Sequence, residues 1–129
     1  MAATQPDQII GLFATRFNAG DVEGLVGLYE AGASIVPDPA AGAVTGTAAI
    51  REALQPFVAM GGTLTIVAST SVQSGDIALT HSTWRLEAPG ADPMESTSAE
   101  VARRQPDGTW LYVVDNPWGA GILAAAAVS

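Results

Sequence analysis

The chain has 129 residues, 48% of them hydrophobic and 14% charged, which suits one compact domain with a substantial apolar core. Thirteen acidic residues against five basic ones, all arginine, give a formal net charge of −8, and this charge repels phosphate backbones and anionic lipid. We therefore expect neither nucleic acid nor a membrane surface as a partner.

The residue types that the chain lacks exclude further classes of site. Without cysteine there is no disulfide framework, thiolate nucleophile or cysteine metal site. The single histidine, His81, cannot build a multi-histidine site, and we predict neither a metal nor another cofactor. The start, MAATQPDQII, has no signal-peptide pattern, and the apolar end, GAGILAAAAVS, is shorter than the roughly 20 residues of a membrane span. These features predict a cytoplasmic protein.

Three helices are predicted in the N-terminal half. Apolar residues recur at helical spacing from residue 7 to about 18, and AGD then supplies a glycine stop and a new aspartate cap. A second helix follows and ends at AGA; its apolar residues are Val22, Leu25, Val26, Leu28 and Tyr29. The segment TGTAAIREALQPFVAM predicts a third helix, capped by Thr45 or Thr47 and disturbed near its end by Pro56.

Strands dominate the rest of the chain. Residues 34–36 read as a short strand closed by Pro37 and Pro39. After two glycines the pattern changes to period two, in segments 63–72, 76–87, 95–104 and 109–116. Turn sequences SGD, APGADP and PDG separate these segments and predict an antiparallel meander. Helices followed by a sheet indicate an α+β domain, in which the helices pack on one face of a curved sheet and leave a cavity between them.

Three segments, NAGDVEGLVGLY, TGTAAIREAL and ARRQPDGTWLYVVDNPWG, resemble the NTF2-like superfamily, particularly its SnoaL-like and ketosteroid-isomerase-like branch. The resemblance covers almost the whole chain as one domain, residues 1–129. It implies an α+β cone, with three N-terminal helices packed on a curved antiparallel sheet around an internal cavity. This fold serves isomerases, dehydratases, epoxide hydrolases, cyclases and proteins without known activity, so it does not select a reaction.

Three positions of the isomerase site can be carried over onto this chain. In ketosteroid isomerase an aspartate moves the proton, while a tyrosine and a protonated aspartic acid hydrogen-bond the enolate oxygen. The resemblance puts Phe13, which cannot donate a hydrogen bond, at the tyrosine position and Glu100 at the acid position. An ungapped alignment puts Pro37 at the base position, and Asp38 fits only with a one-residue shift on both sides.

Asp38 and Asp115 are the two candidates for a catalytic base. One residue along a strand reverses the direction of the side chain, so Asp38 reaches the cavity only if the PDP kink re-aims it; otherwise it is a turn acid. In TWLYVVDNPWG, alternation places Leu111, Val113 and Asp115 on one face, which the resemblance assigns to the pocket. Burial there would raise the pKa of Asp115 and suit it to proton transfer, whereas its alternative role is to start the DNP turn.

Glu100 is the candidate acid or hydrogen-bond donor, and its alternative role is an ion pair with Arg85 or Arg104. If Trp84 lines the pocket, His81 faces the other side of the sheet, which the resemblance implies is the contact of a homodimer. The remaining candidates for the pocket share apolar or aromatic side chains and are Phe13, Phe17, Phe57, Trp84, Val113 and Trp118.

The sequence thus predicts a SnoaL-like pocket protein for a small apolar molecule, with or without a carbonyl group. Three functions stay open. The first is a cofactor-free acid/base enzyme of isomerase, cyclase or dehydratase type, with Asp38 or Asp115 as base and Glu100 as acid. The second is ligand binding without turnover, and the third is a dimeric scaffold whose own side chains fill the cavity. Because Phe13 removes one oxyanion donor, we expect poor steroid isomerase activity.

Overall fold

The computed structural model describes residues 1–126, which form four α-helices and one sheet of six strands. The N-terminal half contains a 3-10 turn (Pro6–Gln8), α1 (Ile9–Asn18), α2 (Val22–Val26), β1 (Tyr29–Ile35), β2 (Val44–Thr45) and α3 (Thr47–Ala59). The C-terminal half contains β3 (Thr63–Ser74), β4 (Ile77–Glu87), β5 (Met94–Arg104), β6 (Trp110–Asn116), a second 3-10 turn (Gly119–Gly121) and α4 (Ile122–Ala126). The predicted α+β arrangement of helices and long strands is therefore present.

The strand order is β2-β1-β6-β5-β4-β3. Strands β3 to β6 pair antiparallel with their neighbours, as the meander predicts. Strand β1, however, runs parallel to β6, so the sheet is mixed and the prediction of an antiparallel sheet is wrong at this edge. Hairpins join the strands of the meander and fix their direction, whereas no hairpin joins β1 to β6, so local sequence does not reveal how these two strands pair.

The second helix is shorter than predicted because its last apolar residues belong to a strand. It ends at Val26, and Tyr29 begins β1, in which Tyr29, Ala33 and Ile35 are buried. A short apolar run fits a helix or a strand equally well, and pairing with β6 decides the outcome here. This change matters for function because it directs the Tyr29 side chain into the interior.

The third helix begins without a threonine cap. Thr45 lies in β2, and the N-cap is Gly46. Its φ of 102° is a conformation that glycine adopts easily and that would strain other residues. Pro56 does not end the helix, which continues to Ala59, and Ile50 and Leu54 form its buried face.

The two faces of the sheet differ in character, as alternation along β4 shows. Its inner side chains, which are buried, are Ala78, Thr80, Ser82, Trp84 and Leu86. Its outer side chains include His81, on the face opposite Trp84 as predicted, and the apolar Ile77 and Leu79, which are 41% and 44% exposed. Helices α1 and α3 pack against the inner face.

A bulge in β6 changes which of its side chains point inward. Val101 of β5 pairs with Val114 and Ala102 pairs with Tyr112, which leaves Val113 as an extra residue in β6. Such an insertion breaks the alternation of the strand. Tyr112 and Asp115 are consequently both buried, while Val114 is 42% exposed.

Candidate functional site

A pocket lies between the inner face of the sheet and helices α1 and α3, with an empty volume of about 680 Å³ including its open mouth. Most of its wall is apolar or aromatic. The wall includes these predicted pocket residues: Phe13, Phe17, Phe57, Trp84 and Trp118. Val113 does not line it, because the β6 bulge gives that place to Tyr112, and the prediction for Val113 is wrong.

Two tryptophans build one aromatic side of the pocket. The Trp118 ring lies 5.6 Å from the Trp84 ring and 6.3 Å from the Phe57 ring. The Trp84 Nε1 donates to the backbone oxygen of Pro117 at 2.7 Å, and the Trp118 Nε1 donates to that of Val36 at 3.0 Å. Because both indole N–H groups already donate hydrogen bonds to backbone oxygens, the tryptophans offer a ligand only their carbon surfaces.

The polar part of the pocket is built around Glu100 and Asp115. These residues are direct cross-strand partners on β5 and β6, and they are only 3% and 5% exposed. The Thr80 hydroxyl donates to Glu100 Oε1 at 2.7 Å, and the Tyr29 hydroxyl donates to Asp115 Oδ2 at 2.5 Å. Glu100 and Asp115 are both among the residues that line the pocket.

Burial strongly shifts the protonation of both carboxyl groups. It raises the pKa of Glu100 to about 8; the charge of Asp115 adds to the shift, and hydrogen bonds from Ser98 and Thr80 oppose it. Burial also raises the pKa of Asp115 to about 6, against the hydrogen bond from Tyr29. The two groups titrate as a pair with apparent pKa values of about 6 and about 8, so the pair holds about one proton at neutral pH.

No arginine neutralises this pair. Arg85 bridges to Glu87 and Glu95, and the remaining bridges of the described residues are Arg51–Glu23, Arg103–Glu30 and Arg104–Asp76. Arg16 donates instead to the backbone oxygen of Gly24. The alternative reading of Glu100, an ion pair with Arg85 or Arg104, is not found.

Asp38 lies outside the pocket. Its carboxylate accepts a hydrogen bond from the backbone N–H of Ala40 at 2.8 Å, two residues along the chain, and its side chain is exposed. The neighbouring Pro37 lines the pocket instead, as the ungapped alignment indicates. The PDP kink does not re-aim Asp38, so its prediction as a base is wrong and the turn reading is the one found.

Sequence reasoning missed several polar residues of the site. Ser82 and Ser98 have hydroxyl oxygens 2.8 Å apart and line the pocket beside Glu100. The alternation of β4 and β5 could have found both residues and Thr80, because all three share a face with Trp84 or Glu100. Local sequence carries no such signal for Tyr29, which falls in the predicted second helix, or for Tyr112, which simple alternation along β6 places on the face opposite Asp115.

Residues 1–126 contain neither a candidate metal site nor a helix that could span a membrane. No group of three or more histidine, aspartate and glutamate side chains could hold a metal ion there. Within the same residues, none of the helices has the length and apolar character needed to cross a membrane.

Solved structures share this fold at low sequence identity. A candidate calcium/calmodulin-dependent protein kinase type II association domain from Thiobacillus denitrificans is 17% identical, over 91% of this chain and 98% of that one, with a TM-score of 0.74. A candidate ketosteroid isomerase from Shewanella frigidimarina is 16% identical over 84% and 90% of the two chains, with a TM-score of 0.72. A candidate dehydratase of the NTF2-like family from Streptomyces avermitilis is 19% identical over 84% and 88%, with a TM-score of 0.69. The fold is therefore NTF2-like.

Residues 10–114 match the sequence pattern of the SnoaL-like domain. Since this match spans most of the chain, the protein belongs to the SnoaL-like domain family. No curated protein matches the sequence.

Proposed function

We propose that the protein is a cofactor-free acid/base catalyst that moves a proton on a small, apolar, carbonyl-bearing molecule bound in the pocket. One observation carries the proposal: Glu100 and Asp115 lie side by side, buried in an apolar pocket, with no basic side chain paired to either among the described residues. A structural role would ordinarily favour an ion pair for buried acids. Two buried acids with separated pKa values are typical of acid/base sites instead.

The two carboxyl groups take different roles. Asp115, mostly ionised near pH 7, accepts the proton from a carbon next to the carbonyl group as the C–H bond breaks. The electron pair moves towards the carbonyl oxygen, to which protonated Glu100 donates a hydrogen bond that strengthens as the negative charge grows. Return of the proton to another carbon would complete an isomerisation. Alternatively, its transfer to a hydroxyl group whose C–O bond breaks would release water and complete a dehydration.

The geometry supports Oδ1 of Asp115 as the atom that acts as the base. Oδ2 accepts the hydrogen bond from Tyr29. Oδ1 has no side-chain donor among the residues that the structure describes, and Asp115 lines the pocket, so Oδ1 is the oxygen free to take a proton. Two proteins of similar structure, a candidate ketosteroid isomerase and a candidate dehydratase, are in keeping with this class of chemistry.

We also propose that the protein acts as a homodimer through the outer face of the sheet. An apolar row crosses four strands there, because Val72 pairs with Leu79, Leu79 with Val101, and Val101 with Val114. Three of these side chains are 66%, 44% and 42% exposed in a single chain, namely Val72, Leu79 and Val114. A contiguous apolar surface of this kind supports association.

Exchange of carbon-bound hydrogen tests the catalytic proposal without knowledge of the substrate. Bicyclic ketones such as tetralone and indanone are incubated with the protein in heavy water, and NMR follows the loss of the proton next to the carbonyl group. We expect wild-type protein to accelerate exchange, Asp115→Asn to abolish the acceleration and Glu100→Gln to reduce it. Asp38→Asn, which keeps the acceptor for Ala40, is the matched control and should match the wild type. Equal rates in wild type and Asp115→Asn would contradict the assignment of the base.

A further inference from the structure

The charges around the pocket are all of one sign. Glu100 and Asp115 line it, whereas no arginine or histidine of the described residues does. The arginines bond to other partners, and His81 lies on the outer face. A ligand that carries a carboxylate or a phosphate would therefore meet a buried negative charge with no counter-ion, and such a contact is costly.

The aromatic side of the pocket favours the opposite charge. The π faces and edges of Trp84, Trp118 and Phe57 form one cluster, and the indole N–H groups of both tryptophans are already bonded to backbone oxygens. Electron-rich aromatic rings attract organic cations, tryptophan most strongly. Aromatic carbon together with a buried carboxylate is a combination that suits an ammonium group on an apolar skeleton.

Asp115 also offers such a group a hydrogen-bond acceptor. Asp115 is only 5% exposed and lines the pocket, and its Oδ1 has no side-chain donor among residues 1–126. Every fully buried side-chain oxygen of the described residues has a hydrogen-bond partner, so Oδ1, which has none, is in contact with solvent and can accept a hydrogen bond from a ligand. An ammonium group is a stronger donor to a carboxylate than a neutral hydroxyl group.

We propose that the pocket selects its ligand by charge, and that it prefers a flat apolar molecule bearing a protonated amine over the neutral or anionic molecule of the same shape. The inference rests on the proposed function in requiring that ligands reach both carboxyl groups. An amine held by Asp115 occupies the proposed base, so it competes with the substrate of the proposed reaction and is not that substrate. The ammonium group donates to Asp115 Oδ1, and its charge acts on neighbouring Glu100 as well.

Binding of an amine should release a proton. In the empty pocket at pH 7 Glu100 holds the shared proton, because burial and the charge of Asp115 keep its pKa above neutrality. An ammonium group beside the pair stabilises the ionised form and lowers that pKa, so the Glu100 O–H bond breaks and the proton passes to solvent. A neutral ligand leaves the proton in place.

Titration calorimetry with naphthylmethylamine, naphthylmethanol and naphthoate tests this, since the three probes share a skeleton and differ in charge. Each is measured at pH 7 in two buffers of different ionisation enthalpy, which gives the number of protons released. We expect the amine to bind tighter than the alcohol by on the order of tenfold and to release up to about one proton, while naphthoate binds most weakly. In Glu100→Gln the amine should still bind but release no proton, and in Asp115→Asn its advantage over the alcohol should disappear. Asp38→Asn should behave as the wild type.

Two results would overturn the inference: an amine that binds no tighter than the alcohol, or amine binding without proton release in the wild type. Neither would affect the deuterium-exchange result, which depends on Asp115 as a base and not on the charge of the ligand. Conversely, absence of exchange with intact amine preference would remove the catalytic proposal and leave a cation-binding pocket.

Discussion

At the scale of single residues, the hydroxyl of Tyr29 controls the chemistry available to Asp115. It donates to Oδ2 at 2.5 Å and lowers the pKa that burial raises to about 6. Tyr29 touches no substrate in this account, so it is a positioning residue: it holds the carboxylate and leaves Oδ1 to react. The pKa of Asp115 thus reports the balance between burial and one hydrogen bond.

Removal of that hydrogen bond should move the pH profile. In Tyr29→Phe the ionised form of Asp115 loses its donor, so its pKa should rise and the low-pH limb of kcat/KM should move to higher pH. The same shift should appear in the pH titration of the Asp115 carboxyl carbon by NMR. Tyr112→Phe is the matched control, because Tyr112 has the same shape and does not bond to Asp115. An unchanged Asp115 titration in Tyr29→Phe would contradict the positioning role.

The carboxyl pair should also make stability fall as pH rises. The folded-state pKa values, about 8 for Glu100 and about 6 for Asp115, lie above the ordinary values of 4.5 and 3.8, so between these limits the folded chain binds more protons than the unfolded chain. The free energy of unfolding should therefore decrease from about pH 4 to about pH 8. Glu100→Gln should flatten the decrease by on the order of a few kcal/mol, as measured by urea unfolding at both ends of this range. A wild-type protein more stable at the alkaline end would contradict the pKa assignments.

Phe13 limits how fast the pocket could catalyse steroid isomerisation. Because Glu100 has no arginine partner and stays protonated at neutral pH, one oxyanion donor is present, but Phe13 cannot supply the second. The wild type should be a poor Δ5-3-ketosteroid isomerase, and Phe13→Tyr should be faster by up to about two orders of magnitude in the same assay. Wild-type turnover close to that of a dedicated isomerase would refute this reasoning.

At the scale of elements, the turn after β6 holds the aromatic side of the pocket in place. Gly119 has a φ of 53°, and a Cβ atom there would lie 2.2 Å from the backbone oxygen of Thr97. Trp118 precedes it directly, and the Asn116 side chain donates to the Gly119 backbone oxygen at 3.0 Å. Little room therefore exists for any residue other than glycine.

Substitution of this glycine should displace Trp118. We expect Gly119→Ala to lower the free energy of unfolding by roughly 1–3 kcal/mol and to change the tryptophan fluorescence, because strain and a backbone clash combine. Gly121→Ala is a matched control in the same turn, since its Cβ would meet only the Trp118 Cβ at 3.8 Å. Equal losses in the two variants would contradict the close-packing argument.

Much of the fold was visible in sequence because its strands carry local signals. The four meander strands were predicted to within about two residues of their ends, since period-two patterns and turn residues mark them. The position of Glu100 in the pocket follows from the resemblance and that pattern. Alternation along β6 also predicts that Asp115 lines the pocket, and it does. Alternation does not predict the bulge at Val113, which is why Tyr112 lines the pocket where Val113 was expected. A bulge is set by pairing between strands, and the same is true of the parallel contact that makes Tyr29 a strand residue.

At the scale of the whole molecule, assembly depends on the outer face of the sheet. Light scattering at micromolar concentration should give the mass of a dimer. Leu79→Asp should give a monomer, because a charge placed in the apolar row opposes burial there. Met60→Asp is the control, as this residue is 37% exposed at the end of α3 and away from the sheet's outer face. A monomer mass for the wild type would contradict the dimer proposal.

The central claim, that Glu100 and Asp115 share about one proton at neutral pH, is tested most directly by a carboxyl titration. Protein labelled with ¹³C at its carboxyl groups is titrated by NMR from pH 4 to pH 9, and Glu100→Gln and Asp115→Asn assign the two resonances. We expect Asp115 to titrate near 6 and Glu100 near 8, and the pKa of Glu100 to fall when Asp115 is replaced, since its charge is removed. Titration of both groups below pH 5, as for exposed carboxylates, would contradict the account.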